Sequence, residues 1–87
     1  ADESSTAVAM SEEFVTRRLR APATADFPLL ASSFVTETQA GYLVRSYVDS
    51  QNGFGAMVRT QFECRVRPKG NKEWELVDLS LDGRKVP

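Results

Sequence analysis

The order of apolar and polar residues divides the chain into a helical stretch and a region of alternation. From about Thr6 to Arg20, Met10 and Phe14 lie four apart, as do Val15 and Leu19, and Val8 stands one heptad before Val15. Those spacings gather the apolar groups on one face of a helix and leave Glu12, Glu13, Arg17 and Arg20 mostly on the other. Ser4, Ser5 or Thr6 can cap its start, and the acids precede the arginines as the helix dipole prefers. Pro22 is expected to end it by forcing Ala21 out of the helical region.

Ala21 to Ser33 carries Pro22 and Pro28 and reads as a connection, with Phe27, Leu29 and Leu30 anchoring it to the core. Four strands are expected beyond it, at about Phe34–Gln39, Tyr42–Gln51, Met57–Arg67 and Trp74–Leu81. Turn chemistry separates them: Ala40-Gly41, then Asn52-Gly53-Phe54-Gly55, then Pro68-Lys69-Gly70-Asn71-Lys72. The first residues (1–5) and the tail from Gly83 to Pro87 are expected to be loose.

Alternation assigns the faces. Val58, Thr60, Phe62, Cys64 and Val66 form one row of the third strand; Met57, Arg59, Gln61, Glu63, Arg65 and Arg67 form the other. Setting Val48 opposite Thr60 keeps the apolar rows together and places Asp49 against Arg59 and Arg45 against Glu63. A slip of one residue would bury the charged row. In the last hairpin the same reasoning sets Val66 opposite Val77, Cys64 by Leu79, Phe62 by Leu81 and Arg65 opposite Asp78. The fold expected is α+β: one N-terminal helix covering one face of a four-stranded antiparallel β-meander, with a cystatin-like outline. Arg45, Tyr47, Asp49, Arg59, Gln61, Arg65, Leu76 and Trp74 would lie on the open face.

Composition narrows the function. With 87 residues there is room for one core, so the chain is expected to be a single domain over 1–87. A net charge of −1 gives no general footprint for nucleic acid. Histidine is absent and Cys64 is the one cysteine, so there is no internal disulfide and no His/Cys zinc set. No cofactor is expected. No apolar run approaches the ~20 residues that span a bilayer. A thiol nucleophile needs a base, and Cys64 alternates in phase with Val58, Phe62 and Val66, so it reads as a core residue. Glu12 and Glu13 point in different directions on a helix and make no acid pair. The chain is therefore expected not to be an enzyme. Arg65, Arg67, Lys69, Lys72, Arg84 and Lys85 could meet an anionic surface, but Glu73 and Glu75 dilute them and a solvated hairpin end explains them.

The run Tyr47-Val48-Asp49-Ser50-Gln51-Asn52-Gly53-Phe54-Gly55-Ala56-Met57-Val58-Arg59-Thr60-Gln61-Phe62 resembles the signature of a small uncharacterised bacterial and phage domain family. Arg20-Ala21-Pro22-Ala23-Thr24-Ala25-Asp26-Phe27-Pro28 is similar to that family's segment after the helix, and Trp74-Glu75-Leu76-Val77-Asp78 to its late strand. Such domains often sit in exported proteins, in lipoproteins or beside a zinc ribbon. The resemblance implies an exported or periplasmic setting, which the small and acidic opening Ala1-Asp2-Glu3-Ser4-Ser5-Thr6 also suits. It implies no activity, and the chain lacks the ribbon cysteines and an anchor cysteine at its start.

Asn52, Gly53, Phe54 and Gly55 are the most informative residues. A Phe between two glycines can anchor a protein partner. Equally, the glycines can supply positive φ and Asn52 can bond its own backbone, while Phe54 folds back over the core. From sequence the second reading is preferred. Tyr47, Asp49 and Arg59 join the loop as candidate partner-binding residues, although register alone already makes Asp49 and Arg59 neighbours. The function expected is a protein- or peptide-interaction domain, monomeric or weakly dimeric. The alternatives are a phage- or mobile-element-encoded inhibitor of a host protein and a carrier of a small apolar ligand.

Overall fold

The computed structural model describes residues 3–28, 34–39, 41–70 and 72–86. Helix α1 spans Ser4–Thr16. A single 3₁₀ turn, Pro22–Thr24, follows, and then strands β1 (Phe34–Thr38), β2 (Gly41–Gln51), β3 (Met57–Gly70), β4 (Glu73–Leu81) and β5 (Arg84–Val86). The five strands lie in chain order in one antiparallel sheet. Among the described residues the fold is thus α+β with one N-terminal helix, as expected, but with five strands rather than four.

The core lies between α1 and one face of the sheet. Ala7, Val8 and Val15 of the helix meet Tyr42, Val44 and Val48 of β2, Phe62, Cys64 and Val66 of β3, and Leu79 of β4, all buried. Ser11 is also fully buried, in the middle of the helical face. Its small side chain lets the helix approach the sheet beside Cys64. Among the described residues the Ser11 hydroxyl has no hydrogen-bond partner of good geometry.

The helix departs from its expected limits at both ends. Glu3 holds the N-cap position without a side-chain bond, and Ser4, Ser5 and Thr6 lie inside the helix. No acidic residue falls in the first turn and no basic residue in the last, so the dipole argument does not apply. The helix stops at Thr16, well before Pro22. There Thr16 Oγ1 donates to the Glu12 carbonyl at 2.7 Å, and Arg18 and Leu19 bond three residues back, to Val15 and Thr16. That tightening bends the chain toward the sheet edge. Phe27 then packs edge-on against Phe62, with ring centroids 6.1 Å apart. Leu29 and Leu30, also expected as anchors, lie outside the described residues, as does Ala40 of the first turn.

The β2–β3 register is the expected one, with Val48 opposite Thr60, Asp49 opposite Arg59 and Arg45 opposite Glu63. Gly41 is required at the start of β2: its φ is +131°, and a Cβ there would sit 2.3 Å from the Val66 carbonyl oxygen.

The β3–β4 register agrees at Phe62–Leu81, Cys64–Leu79 and Arg65–Asp78, then shifts so that Val66 faces Leu76 rather than Val77. Unbroken alternation from Leu79 would have turned Val77, Glu75 and Glu73 toward the core. The bulge leaves Val77 40% exposed and turns Leu76 and Trp74 inward, where both pack against the core. Trp74 lies 5.9 Å from the Tyr42 ring. Glu75 is freed to pair with Arg67. Leu76 and Trp74 therefore do not belong to the open face. β3 also runs on through Pro68 to Gly70, shortening the basic turn.

The tail expected to be loose forms β5, with Val86 opposite Leu79 and Lys85 opposite Ser80. Asp82 makes this return possible: it takes a positive φ of 50°, its carboxylate accepts from the Gln61 N–H at 2.9 Å, and its own N–H donates to the Gln61 carbonyl at 2.7 Å.

The bulge separates two neighbouring apolar residues in energy. Leu79→Ala is expected to lower unfolding free energy by about 2–5 kcal/mol, and Val77→Ala to change it by no more than about 0.5 kcal/mol. Urea unfolding of both variants checks this; a Val77 cost as large as that of Leu79 would contradict the register shift.

Candidate protein-interaction surface

The β2–β3 ladder closes at Gln51–Met57, so the connection is the loop Asn52–Ala56. Asn52 organises it. Its Oδ1 accepts from the Phe54 N–H at 2.8 Å and from the Ala56 N–H at 3.1 Å. Its backbone N–H donates to the Ala56 carbonyl at 2.9 Å, and its carbonyl accepts from the Gly55 N–H at 3.1 Å. This is the side-chain-to-backbone turn expected of Asn. Gly55 supplies the positive φ, +81°. Gly53 does not have one; instead the Arg20 guanidinium lies over it, with Nη1 2.9 Å from where a Cβ would stand.

Phe54 is 97% exposed at the apex of this fixed loop. The expectation that it folds back over the core is overturned: Phe27 and Phe62 already fill that end of the core, and the Asn52 turn directs residue 54 outward. Met57 and Val58, at the base of the loop, are 54% and 41% exposed, which makes the tip an apolar projection.

The other candidates lie on the open face of the same hairpin. Arg59 Nε and Nη2 donate to the two Asp49 carboxylate oxygens at 2.9 and 3.1 Å. The same guanidinium sits 3.9 Å above the Tyr47 ring. Tyr47, Arg59 and Asp49 thus form one stack beside the tip, in which a planar cation is held by a carboxylate on its edge and a ring on its face. Hydrogen bonding from Arg59 holds the Asp49 carboxyl below its usual value, and that from Arg67 does the same for Glu75. Arg45–Glu63, Arg65–Asp78 and Arg67–Glu75 continue the ladder of cross-strand pairs. On an open face such pairs are screened by solvent and add little to stability.

The connection after the helix docks beside this site. Asp26 and Asp49 exchange backbone hydrogen bonds at 2.8 and 2.9 Å, and the Gln51 N–H donates to Thr24 Oγ1 at 2.9 Å. This segment covers the β2 edge beyond the end of β1 and brings Arg20 to the tip. Sequence reasoning missed Arg20, Met57 and Val58 as tip residues. The period-two pattern put Met57 on the outward row, but nothing local could place Arg20 over Gly53.

At the opposite end of the β2–β3 ladder, Glu3, Glu37, Thr38, Gln39, Gly41, Tyr42, Arg67 and Pro68 line an open depression of about 350 Å³. Cys64 is fully buried. Burial pushes its thiol up to about 11, offset in part by the nearby Ser11 hydroxyl. Among the described residues no cluster of His, Cys, Asp and Glu could hold a metal ion, and no helix is long and apolar enough to cross a membrane.

Fold and site together define a helix-on-meander domain with a braced, apolar hairpin tip. No protein-family model, curated protein or solved structure matches the chain.

Two consequences can be measured. Asn52→Ala removes both bonds to the loop N–H groups, and a stability loss of about 1 kcal/mol is expected, with faster amide exchange at Phe54 and Ala56. For Asp49, the lowered folded pKa means a stabilising contribution that is present above the unfolded value and lost as pH falls through the folded one. The melting temperature of the wild type should therefore drop on acidification below about pH 4 more steeply than that of Asp49→Asn. Parallel curves would remove the pair from the acid response.

Proposed function

We propose that this chain is a non-enzymatic interaction domain that presents the Asn52–Ala56 tip, together with the Tyr47–Arg59–Asp49 stack, to a protein or peptide partner. The observation that carries the reading is Phe54, 97% exposed on a loop whose backbone Asn52 already fixes. An exposed large aromatic has no folding role in that position, and a loop ordered in advance spares a partner the entropy of ordering it. Tyr, Arg, Phe and Met are also the residue types that interfaces favour. The non-enzymatic part of the reading is supported by the absence of histidine and by a Cys64 thiol that is buried and held protonated.

We place the domain outside the cytoplasm, in an exported or periplasmic protein, on the strength of the family resemblance in Tyr47–Phe62 and Arg20–Pro28. The two segments that carry the resemblance lie against each other through Asp26–Asp49 and Thr24–Gln51.

Phe54→Ala tests the reading. The variant is expected to melt within about 2 °C of the wild type, as an exposed substitution should, and to lose proteins that the wild type captures from its source cell. Equal capture by both would remove the tip as the binding site, and a large drop in melting temperature would make Phe54 part of the scaffold.

A further inference from the structure

The hairpin tip also holds a chemically reactive pair of residues. Asparagine is thermolabile, because the backbone nitrogen of the next residue can attack its side-chain amide. Glycine hinders that attack least, having no Cβ beside the nitrogen. Asn52-Gly53 is the one Asn-Gly pair in the chain. Three features of the loop favour the reaction there. Asn52 Oδ1 accepts from the Phe54 N–H at 2.8 Å and from the Ala56 N–H at 3.1 Å, so two fixed donors already hold the oxygen on which negative charge develops. Those bonds wrap the side chain round residue 53, whose own N–H donates to no acceptor among the described residues. The Arg20 guanidinium lies over Gly53, with Nη1 2.9 Å from where a Cβ would stand, and a cation there stabilises an anion forming at the reacting nitrogen. Gly53 to Ala56 are exposed, so water and hydroxide reach the site.

We infer that Asn52 is a modification site at which the folded tip promotes its own deamidation, with water as the co-reactant. Hydroxide takes the proton from the Gly53 N–H, and the nitrogen attacks Asn52 Cγ, forming a new C–N bond. The tetrahedral oxyanion rests on the N–H groups of Phe54 and Ala56. Its collapse breaks the Cγ–Nδ2 bond, and Nδ2 takes a proton from water and leaves as ammonia. Water then opens the cyclic imide at one of its two carbonyls, with no change of oxidation state. Opening on the backbone side leaves an isoaspartate, whose extra methylene lengthens the main chain within the turn. Opening on the side-chain side leaves an ordinary aspartate at position 52, which can still accept from both N–H groups and adds a negative charge beside Arg20.

The full chain is incubated at mildly alkaline pH, folded in buffer and unfolded in guanidinium chloride, and the tryptic peptide 46–59 is followed by mass spectrometry. That peptide holds Asn52 and no other asparagine. The exchange of NH2 for OH is expected at least about threefold faster in the folded chain, faster again at higher pH, and with both aspartate and isoaspartate peptides present. Arg20→Ala should slow the folded chain about twofold to fivefold and leave the unfolded chain unchanged, with melting curves confirming that the variant folds. A folded chain that reacts no faster than the unfolded one overturns the inference, because the Asn52 turn would then shield the amide instead of activating it. Aspartate without any isoaspartate would exclude the imide route, and an Arg20→Ala rate equal to that of the wild type would remove the cation from it.

Discussion

The structure depends on burial of a single row of side chains. Val44, Val48, Phe62, Cys64, Val66 and Leu79 all turn to one face of the sheet, and α1 seals them with Ala7, Val8 and Val15. A domain this small has one such core and little margin, so every other feature accommodates it. Ser11 is small because the helix must come close there. Gly41 is glycine because the β2 backbone passes against the Val66 carbonyl. The bulge at Val77 keeps Glu75 out of the core while Leu76 and Trp74 enter it.

With one face committed to the core, the other is free to carry charge, and it does so in cross-strand pairs that cancel locally. Such a face is well solvated and attracts no partner by net charge. What stands out from it is the hairpin tip, where Phe54 is almost wholly exposed and Met57 and Val58 about half so. The tip is braced on two sides, by Asn52 within the loop and by the segment 24–26 along the β2 edge. Its rigidity therefore comes from the fold as well as from its own turn.

Much of this was legible in the residues. Alternation in β2 and β3 set a register that only one choice could satisfy, because a slip of one would have buried Arg45 and Arg59. The Asn52 turn and the Asp49–Arg59 pair followed from local chemistry and register. The β3–β4 pairing could be read only as far as Arg65–Asp78, since alternation carried on from Leu79 points Val77 inward and does not foresee the bulge that turns Leu76 in instead.

By itself, then, the sequence determined the helix-then-meander order, the buried row and the charged row, since these rest on periodicity and on the cost of burying charge. Tertiary structure alone decided the rest. It ended α1 at Thr16, drew Arg84–Val86 into a fifth strand through Asp82 and Gln61, placed Arg20 over Gly53, and left Phe54 in solvent. Each of these outcomes is set by contacts between residues far apart in the chain, where packing volume and edge hydrogen bonds outweigh local preference.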